Sequence, residues 1–406
     1  MKKALVLFIS TLCLNNGFTA EKQLDVHTQK EIARLASQEL ASTGTPSLQI
    51  SIGYKDRIVY EDAFGFSDLE NKVPASTKTK YRTASIAKWF TATSAMALAE
   101  EGKLDLDTPI QTYCPQFPEK QRKVTTRQLL THTAGIRGYL DFSKLSEETQ
   151  DLKELENLRK KELQEKLSQQ TRYQDVITPL DVFKNDPLIF EPDTNWSYTS
   201  LGYRILACVM QGASGQKFRT LLKMSIFEKA KMNNTLADDA WAIIPHRAAG
   251  YRLNRDKTIR RADSRDVSEN LPAGGYLSTS SDLVKFALTF NDSFILPKTK
   301  SLMTSPVLNE SLDIKSKKSW RDAMPHKSRY GYGIMLWSKY VPGMIGHTGR
   351  QAGASSILIL IPSKDLSIAV MTNAKGWNGY LNFTMKIVEA IEKSGGVASL
   401  SHKKHQ

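Results

Sequence analysis

Cysteine is scarce in this chain: three residues among 406, and one of them, Cys13, lies in the N-terminal apolar run. No Cys/His cluster has the spacing of a metal site, so neither metal nor other cofactor is expected. Cys114 and Cys208 could pair in an oxidising compartment. Cys208 sits in the apolar segment 201–210, however, where small buried free thiols are common, and no disulfide is expected. Acidic residues are also short: 42 against 56 basic ones, a formal charge of +14. That excess leaves room for contact with an anionic membrane surface or another acidic polymer. The basic residues are dispersed, with modest clusters only at 315–329 and the C-terminus, and no nucleic-acid module is present, so nucleic acid is not an expected partner. Beyond the first 20 residues no stretch is long and apolar enough to span a bilayer.

What is present is ordinary globular composition, 40% hydrophobic and 24% charged, in a chain long enough to bury a large core. Met1-Lys2-Lys3 followed by the apolar run 4–14 has the style of a secretory signal over residues 1–20. An uncleaved N-terminal anchor is the alternative. A secreted or periplasmic location follows from the first reading.

Periodicity gives an amphipathic helix over 21–42, a strand over 48–54, a turn at Lys55-Asp56 and a returning strand over 57–64. A helix follows over 83–99. A short helix near 125–130 should be capped by Thr125 or Thr126 and broken at Thr131–Gly135. Helices are expected over 201–212, within 224–234 and over 282–290, the last capped by Ser281. Residues 272–281 read as a glycine-containing bend or strand. Strands are expected over 330–337, 355–361 and 366–373, with a turn at 362–365, and a closing helix over 381–392. Strands at both ends and helices between imply an α+β fold, an antiparallel sheet flanked by helices with an inserted, mostly helical region. The α/β part would comprise 21–106 and 265–395, the helical part 107–264, and a basic tail 396–406.

Residues 141–175 stand apart. Nearly half are charged, with both signs mixed, and Gly and Pro are missing. This insert should be an exposed helix laced by Glu/Lys pairs, dispensable for folding, with only a loose stripe of Leu145, Leu152, Leu155, Leu163 and Leu167. A lid or a self-association element is the sharper alternative.

Chemistry concentrates in the helix over 83–99, where the only charge between Arg82 and Glu100 is Lys88. A lone lysine in a helix apolar all round should lose its proton readily. Ser85 precedes it by three residues, on the same face, as an activated serine requires. The bland alternative is a helix-start serine beside a snorkelling lysine. Ser-x-x-Lys recurs at Ser214–Lys217 and Ser401–Lys404, but neither opens a long apolar helix. Tyr198-Thr199-Ser200 lies just before a helix, His347-Thr348-Gly349 just before a strand, and Gly274-Gly275 could line a groove.

Taken in order, Ser85–Lys88, Tyr198–Ser200 and His347–Gly349 resemble the three motifs of the serine β-lactamase and penicillin-binding-protein superfamily, most of all its class C-like group. Leu129–Gly135 and Gly274–Thr279 match as well, and the likeness runs from about residue 31 to residue 392. Residues 102–107, 117–120, 125–127 and 135–137, with the charged insert that follows, are similar to the mitochondrial serine β-lactamase-like branch. The N-terminus here is secretory in style, so that location does not carry over. The resemblance implies a β-lactamase/DD-peptidase-like fold with Ser85 as nucleophile, Lys88 as the group that takes or relays its proton, and Tyr198 as second base and proton donor to the leaving group. It implies backbone N–H groups of Ser85 and Arg350 as oxyanion donors, with Ser200, His347, Thr348, Gly349 and Arg350 meeting the substrate. Ser200 stands where β-lactamases carry asparagine, and His347 where the class C enzymes carry lysine; both replacements occur in the family's peptidases and esterases. Three readings follow: a hydrolase of a small-molecule or peptide substrate acting through an acyl-enzyme, an assembly or filament-forming protein with a vestigial site, and a β-lactamase. Association of copies of the chain is open under each.

Overall fold

The computed structural model describes residues 23–146, 149, 151–307 and 329–395. The signal-like segment, the basic tail and nearly all of the 315–329 cluster lie outside the described residues.

The centre is an eight-stranded antiparallel sheet. Its strands are β1 (Ser47–Tyr54), β2 (Arg57–Asp68), β3 (Val73–Pro74), β4 (Arg329–Tyr330), β5 (Met335–Leu336), β6 (Ile345–Gln351), β7 (Ala354–Ile361) and β8 (Leu366–Thr372), in the spatial order β3-β2-β1-β8-β7-β6-β5-β4. The two ends of the chain therefore meet at the β1–β8 pairing, with Gln49 opposite Met371 and Ile52 opposite Ile368. Alternation along the central strands serves two cores. Ile357, Ile359 and Ile361 of β7 join the core beneath α1 (Val26–Thr43) and the last helix, Tyr380–Lys393. Leu358 and Leu360 of the same strand face the larger core shared with the other helices. Being covered on both faces, β7 is apolar nearly throughout, and its two serines bond outward, Ser355 Oγ to the Ala374 carbonyl and Ser356 Oγ to the Thr83 carbonyl, each at 2.8 Å.

The second core is built on α2 (Ala87–Glu100), buried on every side as its composition predicts. Trp89 and Phe90 make edge-on ring contacts with Phe286, at 5.2 and 4.6 Å between centroids. Around it stand α3 (Thr126–Thr131), α5 (Ser200–Ser214), α6 (Leu271–Gly274) and α7 (Ser280–Asp292), while α4 (Leu152–Ser168) lies outside this core and α8 (Tyr380–Lys393) packs with α1 on the other. Thr125 caps α3 in a reciprocal capping box with Gln128, as expected.

The structure corrects several boundaries. Residues 84–86 form a 3₁₀ turn before α2 rather than its first α-helical turn. Thr279, not Ser281, caps α7. The 272–281 stretch is the short helix α6 followed by strand Tyr276–Ser278. The strand expected over 330–337 is two short strands, because Gly331 and Gly333 turn the chain between them; Gly333 sits at φ 73°, where a Cβ would lie 2.4 Å from that of Ala92. Strand β6 has no apolar run and was not expected as a strand.

The expectation of free thiols is also overturned: Cys114 and Cys208 form a disulfide across a sequence separation of 94. The helix carrying Cys208 lies directly on the 110–114 turn; a Cβ on Gly212 would sit 1.7 Å from the Tyr113 carbonyl oxygen. That close approach turns Cys208 toward Cys114, and nothing local in the sequence reports it. Closing a loop of this length restricts the unfolded chain by about 4.7 kcal/mol in the entropic limit. Reduction should lower the thermal transition by roughly 5 °C or more. Scans with and without reductant, with thiol titration of the untreated protein, check this; two free thiols in untreated protein would refute the bond.

Candidate active site

The site begins with a strained residue. Ala84 adopts φ 46°, a left-handed conformation that costs a non-glycine residue about 1 kcal/mol. It is held there by its neighbours: Thr83 N–H donates to the Tyr276 carbonyl at 2.9 Å, and Ser356 grips the Thr83 carbonyl. The turn swings Ser85 to the start of α2, half-buried, while Lys88 one turn on is fully buried.

Lys88 Nζ lies 3.3 Å from Ser85 Oγ, 3.0 Å from Ser200 Oγ and 3.2 Å from the Ala273 carbonyl oxygen. None of these partners is a carboxylate. Burial therefore drives the Lys88 amine well below the usual lysine range, and the Arg204 guanidinium adds to the effect. An amine that sheds its proton can accept one from a serine hydroxyl.

Tyr198 completes the group. Its ring centroid is 4.8 Å from Lys88 Nζ, and its phenol lies near enough to the Ser85 hydroxyl to be influenced by it. Burial raises the Tyr198 phenol, partly offset by the neighbouring Ser85 hydroxyl, so it rests protonated at neutral pH. Burial thus favours the neutral form of both groups beside Ser85, one a base and one an acid.

The 347–350 stretch lies on β6, paired with β7 as His347 opposite Leu358 and Gly349 opposite Ser356. A Cβ on Gly349 would lie 2.3 Å from the Thr83 carbonyl oxygen and 3.0 Å from Ala84 Cβ, so only glycine lets the strand pass this close to the turn that carries Ser85. Thr348 is half-buried and Arg350 exposed; Arg350 reaches Asn378 at 3.3 Å.

His347 departs from its expected place. It is 0% exposed, its Nε2 meets the Tyr330 hydroxyl at 3.1 Å and its Nδ1 the Thr348 carbonyl at 2.6 Å. Burial, with the nearby Lys88 secondary, pushes it down to about 3. His347 is a neutral support beneath the site, not a cation on its surface, and cannot hold an anionic substrate group by charge. Ser200 likewise is taken up by Lys88.

Two supporting residues had no role in the sequence reading. His132 accepts the Thr199 N–H at Nδ1 (3.3 Å), accepts the Ser197 N–H at its carbonyl (2.9 Å), and places its ring 4.4 Å from that of Tyr198. A histidine where glycine or asparagine ordinarily closes a helix was the available signal, and it adopts φ 63° there. Tyr330 packs against Tyr198 at 5.9 Å between centroids; a single tyrosine beside a charged stretch gave no signal.

The antiparallel sheet with helices packed on both faces is of the β-lactamase and penicillin-binding-protein-like fold. The sequence model described as Beta-lactamase matches residues 32–385, and the chain belongs to that family. Among curated relatives, the mitochondrial serine beta-lactamase-like protein of Mus musculus is 30% identical over 402 residues, covering 80% of this chain and 71% of its own. Penicillin-binding protein 4* of Bacillus subtilis (strain 168) is 26% identical, over 82% and 69% of the two chains. Among solved structures, the D-amino acid amidase of Ochrobactrum anthropi SV3 superposes with a TM-score of 0.72 at 20% identity, covering 91% of this chain and all of its own. The octameric penicillin-binding protein homologue of Pyrococcus abyssi superposes with a TM-score of 0.68 at 21% identity, over 88% and 77%. Among the described residues no helix is long and apolar enough to cross a membrane, and no group of three potential metal ligands occurs.

Proposed function

We propose that the protein is a secreted or periplasmic serine hydrolase that cleaves an amide or ester bond, of peptidase or esterase type, through an acyl-enzyme on Ser85. The observation that carries this reading is the fully buried Lys88 amine, 3.3 Å from Ser85 Oγ with no carboxylate among its hydrogen-bond partners. Ser85 Oγ attacks the substrate carbonyl carbon and its proton passes to Lys88 Nζ. The oxyanion forms between the backbone N–H groups of Ser85 and Arg350. Collapse expels the amine or alcohol, which takes the Tyr198 proton, and Lys88 returns its own to Tyr198. Water then attacks the ester carbonyl; its proton leaves along the same path, and Ser85 is released with its hydroxyl restored. Labelling by a fluorophosphonate, with mapping of the modified peptide, tests the reading. Failure to label folded protein would count against it.

A Cβ at Gly349 would force β6 away from the Ser85 turn, because the Thr83 carbonyl it meets is backbone and cannot swing aside. Gly349→Ala should therefore slow labelling by about 10²-fold. An unchanged rate would mean that this strand edge does not border the reacting atoms.

The secreted or periplasmic location is supported by the secretory style of the N-terminus and by the Cys114–Cys208 bond, which fits an oxidising compartment. Turnover of β-lactams is disfavoured, because His347 offers no charge and Ser200 no amide. A second reading, assembly through the insert, is favoured by Leu152, Leu163 and Leu167 of α4, which are 80%, 57% and 55% exposed. Light scattering of wild type against a variant with all three leucines changed to serine separates the two.

A further inference from the structure

The inserted helix α4 is exposed over most of its length, as its composition predicts, but one face of its C-terminal half is docked. Glu165 is only 4% exposed in a segment that is otherwise nearly all charge and solvent. Its carboxylate forms an ion pair with the Arg137 guanidinium and accepts the Leu140 N–H at 2.9 Å. Three residues earlier, Glu162 accepts the Phe142 N–H at 3.2 Å, and Arg159 lies 4.6 Å over the Phe142 ring. The helix thus satisfies backbone donors of the 137–142 stretch, which has no regular structure of its own up to Asp141.

Arg137 is the pivot. Its side chain, 11% exposed, also binds Asp186, with Nε to Oδ2 at 2.7 Å, and Lys161 of α4 closes on the other oxygen of that carboxylate at 2.6 Å. Its backbone carbonyl points the other way and accepts the Thr199 hydroxyl at 2.6 Å. Thr199 is the N-cap of α5, with Oγ1 accepting the Leu201 N–H at 3.0 Å, and it stands between Tyr198 and Ser200. Two residues past Arg137, the Tyr139 hydroxyl accepts from Arg204 of α5 at 2.8 Å, and Arg204 is itself paired with Glu269 at 3.0 Å. A chain of polar contacts therefore runs from the insert to Thr199, whose chain neighbours are Tyr198, with its ring over Lys88, and Ser200, hydrogen-bonded to Lys88.

We propose that Glu165 is a positioning residue for the Tyr198–Ser200 motif, acting through Arg137 and Thr199, so that docking of the insert sets the reactivity of Ser85. The inserted helix is thereby a brace of the site rather than a solvated excursion. A buried carboxylate that holds a guanidinium and a backbone N–H together fixes the 137–140 backbone. Releasing it lets the Arg137 carbonyl drift from Thr199, and an offset of an ångström at a proton-transferring group costs far more in rate than in stability. The catalytic part of the test rests on the function proposed above.

The experiment compares Glu165→Ala, Glu165→Gln and a control on the solvent side of α4, Glu156→Ala. Two quantities are measured on folded protein: the fluorophosphonate labelling rate of Ser85 and amide hydrogen exchange at Leu201, whose N–H is held by Thr199. Glu165→Ala should slow labelling about 10-fold or more and speed exchange at Leu201 by a similar factor. Glu165→Gln keeps one of the two acceptor bonds and should fall between, and Glu156→Ala should match wild type. If Glu165→Ala lowers the thermal transition while labelling and exchange at Leu201 stay at wild-type values, the residue is structural only and the proposal is overturned. If wild type is not labelled at all, the serine hydrolase reading fails, and the exchange result alone decides this one: faster exchange at Leu201 supports it, unchanged exchange overturns it. Should the alanine variant not fold, the glutamine variant carries both measurements.

Discussion

Ser85→Ala should slow covalent labelling by at least about 10³-fold while the thermal transition stays within about 2 °C of wild type. The stability half follows from the contacts. Only a half-buried hydroxyl is removed, and Lys88 keeps Ser200 and the Ala273 carbonyl as partners. The reactivity half follows from the alternatives. Ser214, the other described serine with a lysine three residues on, donates its hydroxyl to the Met210 carbonyl at 2.7 Å, and Lys217 beside it is exposed. No buried amine activates it. Peptide mapping that finds the label on Ser214, or anywhere but Ser85, would refute the assignment.

Local rules carried far along this chain where the physics is local. The apolar composition of α2, the Thr125 cap and the alternation of β1 each have causes within a few residues, and each is found as expected. The family was legible because its motifs, though far apart, keep their order. What the sequence withheld depends on contacts between distant segments. The Cys114–Cys208 bond needs Gly212 against Tyr113. The neutral state of His347 needs β6 to be buried under Tyr330, and β6 itself is a strand with no apolar run. The insert is an exposed helix as expected, and its one docked face was hidden for a related reason. Charge density averages over a helix, while docking depends on one face, and a glutamate that pairs with a buried arginine is indistinguishable in sequence from one in water. Leu152, Leu163 and Leu167, the residues that looked like a seam, are the exposed ones.

Lys88→Met should have opposite effects on activity and stability, and the stability effect should depend on pH. Methionine matches the length of the lysine stem but cannot take a proton, so labelling should fall by about 10²–10⁴-fold. For stability, the sign follows from proton counting. In the fold, burial holds the Lys88 amine well below its ordinary 10.5, so over the interval between its lowered value and 10.5 the unfolded chain carries a proton that the folded one lacks. Where the unfolded state binds more protons, stability rises with pH. Wild type is thus penalised most below the lowered value, progressively less as pH climbs, and not at all above 10.5. The methionine variant has no such dependence. Its gain over wild type should be greatest in mild acid and shrink steadily toward alkaline pH. Above 10.5 only the cost of leaving the Ala273 carbonyl without its donor remains, about 1–3 kcal/mol against the variant. Paired urea titrations from pH 6 to pH 10 measure this difference directly. A difference that does not change with pH would mean that Lys88 keeps an ordinary lysine's proton in the fold, and Ser85 would then have no base beside it.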